Sequence, residues 1–138
     1  MTFPQITITA LVDAPLAKVW YLWTEPVHIT HWNFASDDWC CPRATSDLRV
    51  GGTYNARMEA KDGSFGFDLE AVWFEVTEGS ALGFTMTDGR RTRTTFTPEG
   101  TGTRVTTVFD AEATHPLEMQ RDGWQAILNN FKGYVERG

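Results

Sequence analysis

The sequence predicts an α+β domain in which a curved antiparallel sheet of seven strands wraps around one long C-terminal helix, with two short helices after the first strand. Three observations carry that expectation. Turn signals recur at a regular beat, Gly51-Gly52, Asp62-Gly63, Glu78-Gly79-Ser80, Asp88-Gly89 and Glu99-Gly100 with Gly102, between segments rich in Thr, Val, Phe and Tyr. The last segment, THPLEMQRDGWQAILNNFKGYVERG, repeats its apolar residues at helical spacing. A chain of 138 residues suits one hydrophobic core, hence a single domain over 1–138.

The opening strand, QITITALVD at 5–13, alternates Ile6, Ile8, Ala10 and Val12 against Thr7, Thr9 and Leu11. In DAPLAKVWYLWT, Pro15 suits a first helical turn, and Val19, Leu22 and Trp23 share one face, which predicts a helix over 15–24. Pro26 permits a second short helix through about His31. Six strands follow, over about 43–48, 52–61, 65–76, 81–88, 91–98 and 103–112. In FGFDLEAVWFEV, Phe67, Leu69, Ala71 and Trp73 form the face expected to point inward, and Asp68 and Glu70 lie on the opposite face with Val72 and Phe74. The C-terminal helix places Leu117, Trp124, Ile127, Leu128, Phe131 and Val135 on one stripe. A sheet with one buried face needs a covering layer, and this helix is the evident lid, with room for a cavity beneath it.

The formal charge is −6, from 12 basic and 18 acidic residues, which disfavours nucleic acid and anionic membrane surfaces as partners. No apolar run is long enough to span a bilayer, and MTFPQITIT has neither the basic nor the apolar region of a signal peptide, so a cytoplasmic monomer or homodimer is expected. The cysteines, Cys40 and Cys41, are sequence neighbours; a disulfide between them requires a strained ring, so free thiols are expected.

The order of elements, together with APLAKVW, DLRVGGTY, DGSFGFDLEAVWFEV, DGRRTRTTF and GWQAILNNFKGYVE, resembles the activator of heat-shock protein 90 ATPase homologue-like family across nearly the whole chain. That family lies within the START or Bet v 1-like helix-grip superfamily (SRPBCC), which also contains polyketide cyclases and lipid carriers. The resemblance implies a pocket between the long helix and the sheet. It also raises a chaperone-associated role; the additional N-terminal domain with which eukaryotic relatives engage the chaperone is not expected in this protein.

The segment HWNFASDDWCCP, residues 31–42, concentrates the candidate chemistry. His28, His31, Asp37, Asp38, Cys40 and Cys41 are ligand types that zinc accepts, but there is no C-x-x-C pair and adjacent cysteines rarely aim both sulfurs at one ion, so no metal and no cofactor are expected. A cysteine nucleophile would need a base such as His31 or His115, with Arg43 near in sequence, while Asp37 and Asp38 oppose thiolate formation. Trp32 and Trp39 suit the rim of an apolar pocket better. Asp68 and Glu70, two apart on one strand face, could be paired carboxylates, but read more simply as a solvated face opposite the arginines of RRTR.

Binding of a small apolar or amphipathic molecule is therefore the leading expectation. The pocket is expected to be roofed by Trp32 and Trp39, walled by Met58, Phe67, Leu69 and Met86, and floored by Trp124, Leu128 and Phe131. Gly123, in mid-helix, is expected to face inward, leaving room for a ligand or for close approach of the sheet; Met119 is a further flexible filler. The alternatives are an enzyme of the cyclase or hydrolase kind using His31, Asp37 or Glu70, and a protein-binding module acting on a chaperone.

Overall fold

The computed structural model describes residues 3–137. Its elements run β1 (Gln5–Val12), α1 (Leu16–Thr24), α2 (Pro26–Ile29), β2 (Trp39–Ser46), β3 (Thr53–Ala60), β4 (Gly66–Thr77), β5 (Ala81–Met86), β6 (Arg91–Glu99), β7 (Gly102–Asp110) and α3 (Leu117–Arg137). The strands form one antiparallel sheet in the order β1-β7-β6-β5-β4-β3-β2. Apart from the β1–β7 pairing, every neighbour is also the next strand in sequence, as turn-linked hairpins dictate. At the β5–β6 turn Gly89 takes φ 92°, a conformation that a β-carbon would oppose.

Alternation decides which face is buried. On β1, Ile6, Ile8, Ala10 and Val12 are buried and the residues between them exposed. β7 repeats this with Thr103, Val105, Thr107 and Phe109. On β4, Ala71 and Trp73 are buried, and a bulge follows at Phe74, between the pairs Trp73–Phe84 and Glu75–Gly83. The bulge lies beyond Asp68 and Glu70 and leaves both exposed. It also lays the Phe74 ring over Gly83, where an added Cβ would stand 2.7 Å from the ring's Cε1; the side-chain-free backbone makes room for the ring, and the Arg91 guanidinium covers it at 4.8 Å.

β2 begins at Trp39, four residues before the strand expected at 43–48, so Trp39, Cys40 and Cys41 lie on a strand and not in a loop. Its register slips between Cys40 and Arg43, around Pro42, which has no N–H to donate. The edge position explains the tolerance: β2 pairs with β3 alone.

α3 lies in the concavity with Leu128, Phe131 and Val135 each 1% exposed or less. The expected stripe departs at its start, where Leu117 is 49% exposed, and Met119, expected as a filler, is 60% exposed. Gln120 is buried there instead and clamps the β7–α3 loop: its amide donates to the Glu112 and His115 carbonyls at 3.0 and 2.8 Å, and its Oε1 accepts from Glu112 N at 2.9 Å. α3 also reaches the β1 edge, where Gln125 Nε2 and Lys132 Nζ donate to the carbonyls of Thr9 and Leu11 at 3.1 and 2.8 Å.

Candidate functional site: an apolar cavity under the C-terminal helix

A cavity of about 180 Å³ lies between α3, the α1–α2 segment and the inner face of the sheet. Aromatic packing builds its α-helical side. Trp23 and Trp32 stack at 4.8 Å, and both meet Phe131 edge-on at 4.8 and 4.9 Å. Trp32 is fixed further by its indole N–H, which donates to the Leu22 carbonyl at 2.9 Å. Asn130 of α3 donates to the Trp32 carbonyl at 2.8 Å and so holds the segment after α2 over the cavity. On the floor, Trp124 stacks on Phe109 at 3.9 Å, and Ile127 and Leu128 flank it. The far wall is Tyr54 and Trp73, both packed on Phe84.

Of the residues expected to bound a pocket, Trp32, Met58, Phe67, Leu69, Trp124 and Leu128 line the cavity. Phe67 is 44% exposed and stands at its mouth. Four others do not line it. Trp39 leaves the roof because it belongs to β2, and packs outside against Phe65 and Phe67 at 5.9 and 6.3 Å. Met86 is buried at the end of β5 within the core. Phe131 sits behind Trp23 and Trp32 and supports the wall without forming it. Gly123 is half-buried and a Cβ there would meet no atom within 4 Å, so neither close packing on the sheet nor a place in the lining accounts for it. Gly123→Ala is therefore expected to raise stability by about 1 kcal/mol through helix propensity, read as a higher denaturation midpoint.

Three threonines that the sequence did not point to also line the cavity. Thr92, Thr94 and Thr107 on β6 and β7 face the cavity although their composition suggests a solvated strand. Thr94 and Thr107, directly opposite each other, share a 2.8 Å hydrogen bond. The signal was the alternation of RTRTTF, which puts Thr92, Thr94 and Phe96 on one face.

The other candidates are dispersed. His28 bonds Tyr134 Oη through Nδ1 at 2.7 Å, and His31 is exposed and stacks on the Tyr134 ring at 5.8 Å, so both histidines belong to the outer side of α3. Asp37 and Asp38 are exposed. Asp68 faces Arg57 at 3.5 Å and Arg43 at 3.9 Å, and Glu70 accepts from Asn55 at 3.4 Å; the RRTR arginine Arg93 pairs instead with Glu75 at 2.7 Å. His31, Asp37 and Glu70 all stand away from the cavity, which removes the acid–base set considered for an enzyme. Cys40 and Cys41 are free thiols; Cys41 is 2% exposed, and burial pushes its ionisation upward, the reverse of what a nucleophile needs. Among the described residues no three His, Cys, Asp or Glu side chains gather closely enough to hold a metal ion.

A long helix thus lies against the inner face of a curled seven-stranded sheet, with the cavity between them. The family model described as "Activator of Hsp90 ATPase homolog 1-like protein" matches residues 13–136. The chain belongs to that family. Among solved structures, the AHSA1-like protein from Aeromonas hydrophila is 42% identical, with a TM-score of 0.91 over 97% of this chain and 93% of its own. Chr148 from Cytophaga hutchinsonii is 45% identical, with a TM-score of 0.84 over 96% and 92%. CV1439 from Chromobacterium violaceum, 22% identical with a TM-score of 0.86 over 96% and 98%, shares the fold. No curated protein matches the chain. No helix among the described residues is long and apolar enough to cross a membrane.

Proposed function

We propose that this member of the family binds a small apolar or amphipathic molecule in the cavity beneath α3, as a carrier or sensor. The observation that carries the reading is the character of the lining: aromatic and aliphatic side chains with a few hydroxyls and one amide, and no carboxylate, imidazole, amine or guanidinium. Acid–base catalysis needs a titrating group within reach of the reacting atoms, whereas a carrier needs apolar area and a few orienting contacts. The volume, about 180 Å³, slightly exceeds the roughly 150 Å³ of an engineered apolar cavity that takes up benzene, so molecules of one ring fit it.

The test is a titration with toluene followed by amide NMR, beside native mass spectrometry of protein purified from its own host. Saturable shifts should centre on lining residues such as Trp32, Leu128 and Tyr54. Trp32→Ala is expected to weaken toluene binding severalfold by opening the roof to water, and Trp39→Ala to leave it unchanged. Shifts that never saturate, or equal effects of the two variants, refute the reading.

One observation favours a second reading, a protein-contact surface. Trp39, Phe65 and Phe67 form an aromatic group on which Phe65 is 61% exposed. If that surface engages a chaperone, as the family's name suggests, stimulation of the host chaperone's ATPase should be lost in Phe65→Asp while toluene binding persists.

A further inference from the structure

Several polar groups around the cavity have partners of their own. The Trp32 indole donates to Leu22 O, the Trp73 indole to Ser46 Oγ at 3.2 Å, and the Thr24 hydroxyl to Trp20 O at 2.9 Å. Thr94 and Thr107 satisfy each other. Thr92 does not follow this pattern. It is 4% exposed, it lies on the cavity wall, and its hydroxyl has no hydrogen-bond partner among the described residues. The register explains why. Thr94 has Thr107 opposite it on β7, but Thr92 lies between Phe84 of β5 and Phe109 of β7, neither of whose side chains can form a hydrogen bond with it.

A buried hydroxyl without a partner is destabilising, and natural sequences satisfy most such groups. Valine would fill the same space on a β-strand without that cost. A turn about χ1 exchanges the hydroxyl of threonine with its methyl group, so the hydroxyl can be presented to whatever occupies the cavity. The surroundings also restrict the charge of an occupant. No lining side chain is cationic or anionic, and burial pushes the ionisation of the Tyr54 hydroxyl on the same wall far upward, so it stays neutral. An ionised carboxylate would be desolvated there without a counter-charge.

We propose that the cavity selects a neutral, ring-sized molecule bearing one hydrogen-bonding group, which Thr92 holds, in preference to purely apolar molecules of the same shape and to anions such as fatty acids. This rests on the reading that the cavity binds small molecules. Phenol and toluene, with seven non-hydrogen atoms each, differ only in the group offered to Thr92, and benzoate adds a charge to the same ring. The wild-type chain, Thr92→Val and Thr92→Ser are titrated with all three by NMR.

In Thr92→Val the ratio of the phenol to the toluene dissociation constant should rise about five- to tenfold, the worth of one net hydrogen bond, with toluene affinity altered less than twofold. Thr92→Ser keeps the hydroxyl and should retain the wild-type ratio. Benzoate should bind none of the three. The melting temperature of Thr92→Val should equal or exceed that of the wild type, which separates loss of a contact from loss of the fold. If toluene binds but the ratio is the same in wild type and Thr92→Val, or if benzoate binds as well as phenol, the selectivity is refuted and the cavity reading stands. If neither toluene nor phenol binds the wild-type chain, both fall together.

Discussion

A chain ending at His115, without α3, is expected to show no cooperative thermal transition. Leu128, Phe131 and Val135 are each 1% exposed or less, and burying side chains of this size is worth about 1.5–3 kcal/mol apiece. Their sum is comparable to the roughly 5–15 kcal/mol by which small domains are stable. The loss extends beyond the helix, because its removal exposes the inner faces of β1 and β7 and takes away the Asn130 contact that holds the segment after α2. Differential scanning calorimetry decides the matter: a sharp, reversible transition in the truncated chain would show that the sheet and short helices are stable alone.

The second large effect is expected from Phe131→Ala. Phe131 is fully buried and meets the rings of both Trp23 and Trp32, so truncation removes a large side chain and leaves a void behind two tryptophans that line the cavity. A loss of about 3–5 kcal/mol is expected by chemical denaturation, with an unchanged denaturant slope. The same variant should change ligand size preference. With its support gone, the Trp23–Trp32 stack can retreat, and a two-ring probe such as naphthalene should gain affinity relative to toluene. A loss below 1 kcal/mol would mean that the tryptophans refill the void by themselves.

Most of the architecture was legible because its signals are local. The alternation of QITITALV settles the buried face of β1, and turn residues between the later strands mark boundaries that fall within about two residues of those observed. The failures arise where a neighbour decides the outcome. The strand was expected to begin only at 43, yet an edge strand with a register slip around Pro42 reaches back to Trp39, and the roof expected from Trp39 went with that difference. Leu117 looked like the start of the apolar stripe, but Gln120 is the buried residue of that turn because a loop folds onto it. Threonines on β6 carry no mark of burial in their composition; only the cross-strand register reveals that Thr94 has a partner in Thr107 and that Thr92 has none. The histidines, acidic residues and cysteines of 28–41 were close in sequence, but the turn from α2 into β2 sends them to different surfaces.

The side chains that α3 extends to β1 have a consequence for assembly. An open sheet ends in a row of backbone groups that can template a strand from another molecule. Gln125 and Lys132 already occupy the carbonyls of Thr9 and Leu11 on one margin, and on the other Pro42 and its register slip interrupt the row. Both margins therefore carry features that hinder the addition of a strand from a second copy.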